Sequence, residues 1–294
     1  MEGCMNKFRV TKSHTCIRHS GIAKLCLSLV FVLVSHGALT PVAADEPPAL
    51  VAIIIDDLGN QLKAGRRAIA LDAPLAYAVM PHTAYGARLA SEVHAAGKEV
   101  MLHLPMQPTQ MERIAGPGEI SLENSIRQLR HIVATDLNSV PHVVGVNNHM
   151  GSLITRHPGH MRWLMDELAA RGDLFFVDSV TTPASVAYAA ALESGVPAAR
   201  RHVFLDGDPD AAQIEVQFER LLQQARGRGY AIGIAHPYTS TLEFLEGALP
   251  QLQQSPEFRL VPVSRIVAEL GNGKLQRESI STQLNLAAAR EADL

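Results

Sequence analysis

From about residue 50 to about residue 270, short continuous apolar runs alternate with longer stretches whose apolar positions recur at helical spacing. Runs without polar alternation suit strands covered on both faces, because such strands hide every side chain. They predict strands at 50–57, 75–81, 99–105, 143–149, 174–179, 202–206, 230–236 and 260–263. Between them, Met161, Leu164, Met165 and Leu168 mark one face of a helix over 158–171, and Gly172 follows where that helix would end. Thr182 before Pro183 predicts a cap and a first-turn proline, with Gly195 closing that helix. Asp208 before Pro209 repeats the device ahead of Phe218, Leu221 and Leu222, and Gly227 or Gly229 ends the segment.

Strand–helix units joined by right-handed crossovers build a closed or nearly closed (β/α) barrel, or an open doubly wound sheet. Seven or eight strands favour the barrel. So does the lone Gly59 after the first strand, where a dinucleotide-binding sheet would carry a glycine-rich loop. The expected organisation is one α/β domain over 50–272, a linker at 45–49, and a polar, alanine-rich tail at 273–294.

Residues 1–44 have the pattern of an export signal peptide. Lys7, Arg9, Lys12, Arg18 and Lys24 form a basic lead-in to an apolar run at 25–34, which is too short for a comfortable membrane span. Val42, Ala43 and Ala44 then precede Asp45 as a small-residue cleavage site. The expected location is the periplasm. The alternative is an uncleaved signal anchoring the chain to the inner membrane, which is also the only membrane contact expected. Cys4, Cys16 and Cys26 all lie in the signal, so the exported chain would have no disulfide and no thiolate nucleophile or ligand. Hydrophobic residues at 47% against charged residues at 19% describe a globular body rather than a disordered one. A formal charge of −3 leaves no basic excess for binding nucleic acid. Aromatic residues at 5% exclude a broad sugar-stacking platform of many rings.

The chemistry lies in what ends the strands. Ile53-Ile54-Ile55 runs into Asp56 and Asp57, Met101-Leu102 into His103, and Gly145-Val146 into Asn147, Asn148 and His149. Phe176-Val177 runs into Asp178, and Ile234-Ala235 into His236. In a parallel α/β barrel the C-terminal strand ends share one rim, where sites are built. One polar strand end is uninformative, but five that supply only Asp, Asn and His form a pattern. Carboxylate and imidazole are the ligands of a divalent metal such as zinc where thiolates are absent, and Asp57, His103 and His149 are the candidates. A metal there would activate water and polarise a carbonyl. Asp56 is then placed to take the water's proton and His236 to protonate a leaving group. Asn148, Asp178 and His82 are candidates for substrate contact, with Asp178 suited to substrate hydroxyls and His82 at the rim. Plainer roles compete: an Asp-Asp pair also caps a helix, and His103 also reads as a buried, hydrogen-bonded imidazole. Asp206 reads as part of a surface turn with Gly207 and Asp208, and His131, His142, His157, His160 and His202 read as surface residues.

Four segments, taken in order, resemble the divergent polysaccharide deacetylases, the YibQ-like family. They are Ile53-Ile54-Ile55-Asp56-Asp57-Leu58-Gly59, His103-Leu104-Pro105-Met106, Gly145-Val146-Asn147-Asn148-His149-Met150-Gly151-Ser152 and Ile234-Ala235-His236-Pro237. That family is similar to the carbohydrate esterases, NodB-type deacetylases that remove N- or O-acetyl groups from chitin, peptidoglycan or other glycans. The resemblance implies a distorted (β/α) barrel of about seven parallel strands with a metal at its rim and an acetylated glycan as substrate. It also implies Asp56 as base, Asp57 as metal ligand and His236 as the group that assists the leaving group. The ordinary deacetylases carry their metal histidines as a pair four residues apart. Here Gln107 stands four beyond His103 and Leu153 four beyond His149, and the arginine–proline–tyrosine motif is missing. His103 and His149 would replace the pair from separate strands. Three functions stay open: metal-dependent removal of acetyl groups from an envelope glycan, a deacetylase-like barrel that only binds glycan or protein, and metal-assisted hydrolysis of another bond.

Overall fold

The computed structural model describes residues 47–110 and 115–275. The expected signal with its cysteines, and most of the tail, lie outside the described residues. The first half of the barrel is β1 (Ala49–Leu58), α1 (Leu62–Ile69), β2 (Ala76–Val79), α2 (Gly86–Ala95), β3 (Glu99–Met106), α3 (Ile126–Ser139) and β4 (Val143–Met150). The second is α4 (Pro158–Arg171), β5 (Phe175–Asp178), α5 (Ala187–Glu193), β6 (Ala198–Arg200), β7 (Val203–Phe204), α6 (Ala211–Arg228) and β8 (Tyr230–Ala235). α7 (Thr239–Gln254), β9 (Phe258–Leu260) and α8 (Val263–Gly271) complete the domain. Among the described residues no helix is long and apolar enough to cross a membrane.

Every strand pairing is parallel, in the order β6-β5-β4-β3-β2-β1-β8-β7. The two ends of this order are consecutive in the chain. The Arg201 N–H donates to the Asp178 carbonyl of β5 at 2.9 Å, and the next N–H, of His202, donates to the Ile232 carbonyl of β8 at 2.9 Å. One bent segment thus borders both β5 and β8, so β6 and β7 together fill one strand's place. The result is a distorted (β/α) barrel with seven such places around it. β9 pairs with the first residues of β1, below the point where β2 begins its own pairing.

Alternate residues of β1 go to two apolar clusters, as a strand's period of two requires. Val51, Ile53 and Ile55 pack with the outer helices. Ala52 and Ile54 join Ala76, Ala78, Met101, Val177 and Ile232 and meet Val263, Ile266, Val267 and Leu270 of α8. The small alanines make room for α8, and Glu99, at the start of β3, accepts the Ser264 N–H at 3.3 Å. The helix therefore sits at the foot of the barrel, opposite the rim. Burial on both faces is why the strands read as unbroken apolar runs, each large buried side chain contributing about 1.5–3 kcal/mol.

Helix ends correct three expectations. Thr182-Pro183 opens a turn rather than a helix, because Thr182 Oγ1 and its carbonyl take the N–H groups of Ala184 and Ser185 at 3.3 and 3.2 Å. α5 starts only at Ala187. The cap of α6 is Asp210, which accepts from Ala212 and Gln213, while Asp208 accepts the Asp210 N–H at 3.0 Å. Residues 260–263 are not a strand: β9 ends at Leu260, and Val263 begins α8. The expected 158–171 helix and its glycine stop at Gly172, with φ of 81°, are both present.

Gly145 of β4 lies in register with Phe175 of β5, and a Cβ there would come within 2.4 Å of the Phe175 ring. Gly145→Ala should cost about 1–3 kcal/mol by overpacking, roughly 2–10 °C in Tm. Adding Phe175→Leu should recover part of that loss. Thermal unfolding by circular dichroism checks both, and an unshifted midpoint in the single variant would contradict the packing.

Candidate active site

The rim at the C-terminal strand ends carries backbone strain. Asp57 (φ 59°), His82 (φ 55°), Met150 (φ 53°) and Val180 (φ 48°) are all left-handed non-glycine residues at or just past the ends of β1, β2, β4 and β5. Such conformations cost about 1–3 kcal/mol each and persist only where the surroundings impose them. At Asp57 the effect is direct. The β1–β2 register breaks between Ile55 and Leu58, so the strict in–out alternation of a strand fails there. Asp56 and Asp57, neighbours that a regular strand would send to opposite faces, both reach His103.

Three ligand-type atoms converge. Asp57 Oδ1 lies 3.2 Å from His103 Nε2 and 3.1 Å from His149 Nδ1, and those two nitrogens are 3.1 Å apart. Bonds of about 2.0–2.1 Å in a tetrahedral zinc-like centre place ligand atoms about 3.3 Å from one another, so the triangle has the size of one tetrahedral face. Asp57 Oδ1 is buried without a properly formed hydrogen bond, as an oxygen aimed at a cation would be. These residues fit a divalent metal, and they form a metal-competent cluster among the described residues.

Asn147 sets the proton on His103. Its Nδ2 donates to Asp56 Oδ1 at 2.9 Å, which leaves Asn147 Oδ1 to accept from His103 Nδ1 at 2.8 Å. With Nδ1 carrying the hydrogen, neutral His103 points its Nε2 lone pair at the centre. Without a cation the same crowding favours protonation. Burial opposes charge on His103, but the carboxylates of Asp56 and Asp57 outweigh it and lift the ring to about 9. Burial would likewise raise Asp57, yet the pull of His103 and His149 holds it far below the usual carboxylate range. Metal binding must therefore displace a proton. Asp56, whose Oδ2 is 3.5 Å from His103 Nε2, is held above its ordinary value by burial.

His236 follows β8, its Nε2 3.7 Å from Asp57 Oδ2. Its Nδ1 is 3.0 Å from Asp206 Oδ1, while Asp206 Oδ2 accepts the His236 N–H at 2.6 Å and the Thr241 hydroxyl at 2.8 Å. Asp206 is thus a buried partner that orients His236, not part of a surface turn. His202 is also buried: its Nδ1 accepts the Ile232 N–H at 3.0 Å, and burial pushes the ring down to about 3. Both residues fall on the bent segment between β5 and β8, where no sequence signal marks which side chains turn inward.

The remaining candidates divide. Asn148 lines the main cavity but spends its amide on backbone, accepting from Ser179 N–H and donating to the Met150 carbonyl, each at 2.8 Å. Asp178 is fully buried with its oxygens taken by Val180 N–H and the Ser185 hydroxyl, so it holds the loop after β5 instead of facing substrate. His82 sits at the rim with its Nε2 2.7 Å from Asp136 Oδ1. A cavity of about 840 Å³ includes Asp56, His103, His149 and His236 in its lining. A second, of about 440 Å³, includes Asp57, His82 and His149.

The rim that gathers these carboxylates and imidazoles around a cation-sized gap is the end at which parallel (β/α) barrels build their sites. The chain belongs to the divergent polysaccharide deacetylase family, which it matches over residues 53–267. It is 33% identical over 237 residues to the uncharacterized protein YibQ of Escherichia coli, covering 81% of this chain and 73% of that one. An uncharacterized protein of Haemophilus influenzae is 36% identical over 204 residues, 69% of this chain and 72% of the other. Among solved structures, an uncharacterized protein from Agrobacterium tumefaciens superposes with a TM-score of 0.70 at 20% identity, over 75% of this chain and 90% of that chain.

His236 is held above its usual value: burial pushes it down, and the hydrogen bond to Asp206 with the nearby carboxylate charges outweighs burial. Stability from this pairing is complete below about pH 6.5 and is lost as pH rises through the elevated midpoint. Asp206→Asn should therefore lower the His236 midpoint in the metal-free protein and weaken that pH dependence of Tm. Ring-carbon NMR titration measures the shift, and an unmoved midpoint would disprove the orienting role.

Proposed function

We propose that the protein is a metal-dependent deacetylase that removes acetyl groups from an envelope glycan. The observation that carries this reading is the triangle of Asp57, His103 and His149, with Asp56 3.5 Å from His103 Nε2 and His236 3.7 Å from the other carboxylate oxygen of Asp57. The export signal expected at the N-terminus would bring the chain to such glycans, and the family is one of polysaccharide deacetylases. Zinc suits the donor set of two imidazoles and one carboxylate.

When bound, the metal would polarise the acetyl carbonyl and acidify water. Asp56 takes the water's proton as the water oxygen bonds to the carbonyl carbon. His236, oriented through Nδ1 by Asp206, delivers a proton from Nε2 to the leaving nitrogen or oxygen as its bond to that carbon breaks. Acetate and a free amine or hydroxyl leave, the proton on Asp56 returns to solvent, and His236 regains from solvent the proton it gave up. The cavity walls hold the sugar while the buried Asn147 keeps Asp56 and His103 in place.

The full chain should bind about one equivalent of zinc and release acetate from peptidoglycan or N-acetylated chitooligosaccharides, with the release stopped by chelator. Asp56→Asn should retain metal and lose about 10²–10⁴-fold in turnover. His149→Ala should lose both metal and activity. Asn147→Ala should weaken metal binding by about 10–100-fold through loss of the His103 partner. Metal analysis and acetate assay read all of these, and a wild-type chain that takes up no divalent metal would end the proposal.

A further inference from the structure

The two cavities adjoin at the Asp57–His103–His149 triangle, His149 lining both. Besides His149, both include Tyr238 in their lining, two residues after His236. Tyr238 stacks on the His236 ring, with centroids 5.3 Å apart and planes 21° from parallel, and yet is 46% exposed. Phe204, 39% exposed, stands edge-on to the same imidazole at 5.4 Å. Tyr85, Phe204 and Tyr238 are the exposed aromatic side chains among the described residues, so two of the three gather around one catalytic candidate.

The start of α7 gives no reason for a tyrosine here. Tyr238 is the N-cap of α7, and its side chain makes no capping hydrogen bond. Ser, Thr, Asp or Asn at that position would satisfy an orphaned helix N–H and stabilise the helix. A residue that breaks a local rule without a structural return is expected at a functional site. An exposed aromatic face beside polar groups suits the apolar face of a pyranose ring, whose hydroxyls then reach the cavity walls.

We propose that Tyr238 is a sugar-stacking residue that seats an acetylated glycan chain across both cavities, presenting a unit within the chain to the metal centre. It rests on the reading of this site as one for acetylated glycans. A chain lying across two adjoining cavities gains contacts with length, so a single sugar should bind poorly.

The test is calorimetric titration of the full chain, with metal chelated to prevent turnover, using the hexamer of N-acetylglucosamine and the monomer. The wild type should bind the hexamer at least about tenfold more tightly than the monomer. Tyr238→Phe should keep that affinity. Tyr238→Ser should weaken it about tenfold while Tm stays level or rises by a few degrees through the better cap. Hexamer affinity unchanged in Tyr238→Ser, affinity lost only together with Tm, equal binding of monomer and hexamer, or no hexamer binding by the wild type would each overturn the proposal. A wild type that binds the hexamer as described yet releases no acetate when zinc is restored would support the seat and refute the hydrolase.

Discussion

Ionisable groups buried side by side are tolerable only when each one's charge is met by another, and that constraint organises the rim of this barrel. Asp56, His103, Asn147 and Asp206 are almost wholly withdrawn from water. Each is tied to another polar group: Asn147 bridges His103 and Asp56, and Asp206 holds His236. Without a cation the charges settle by moving a proton onto His103 and keeping Asp57 ionised. With one, the same groups would become a ligand set. The polar network therefore does two jobs, holding the fold's most costly buried groups and presenting lone pairs toward one point.

The barrel makes that network affordable. Strands buried on both faces, small residues inside and α8 at the foot give a rigid frame. Left-handed turns at Asp57, His82, Met150 and Val180 are strained individually, and the packed sheet beneath them offsets the cost. They lie at the end where the carboxylates and imidazoles are gathered, opposite α8, which is the end where parallel (β/α) barrels build their sites.

Much of this was legible in the chain. Apolar runs located most of the strands, and the residues ending them included the three that form the cation-sized triangle. The reason is topological: parallel strands deliver their C-terminal ends to one rim, so Asp57, His103 and His149 had to lie near one another once the sheet was parallel. Less legible were the roles of individual polar residues near the rim. Asn147 and Asn148 are adjacent and chemically identical, yet Asn147 joins His103 and Asp56 while Asn148 ties down backbone. Asp178 ends β5, and the triangle residues lie near the C-terminal ends of their strands, but the oxygens of Asp178 are consumed by the following loop. Thr182-Pro183 carries a helix-start signature that a local turn uses first.

By itself the amino-acid order determined the α/β alternation, the places where apolar strands turn polar, and the supply of carboxylate and imidazole donors, because hydrophobic periodicity and residue chemistry are local properties. Only the tertiary structure decided that Asp206 backs His236, that His202 is buried, that Asp56 and Asp57 both turn toward His103, and that Tyr238 stands between two cavities. Those outcomes depend on a register break in β1 and on a bent segment shared by β5 and β8. Both are set by how distant strands fit together, which no short stretch of sequence encodes.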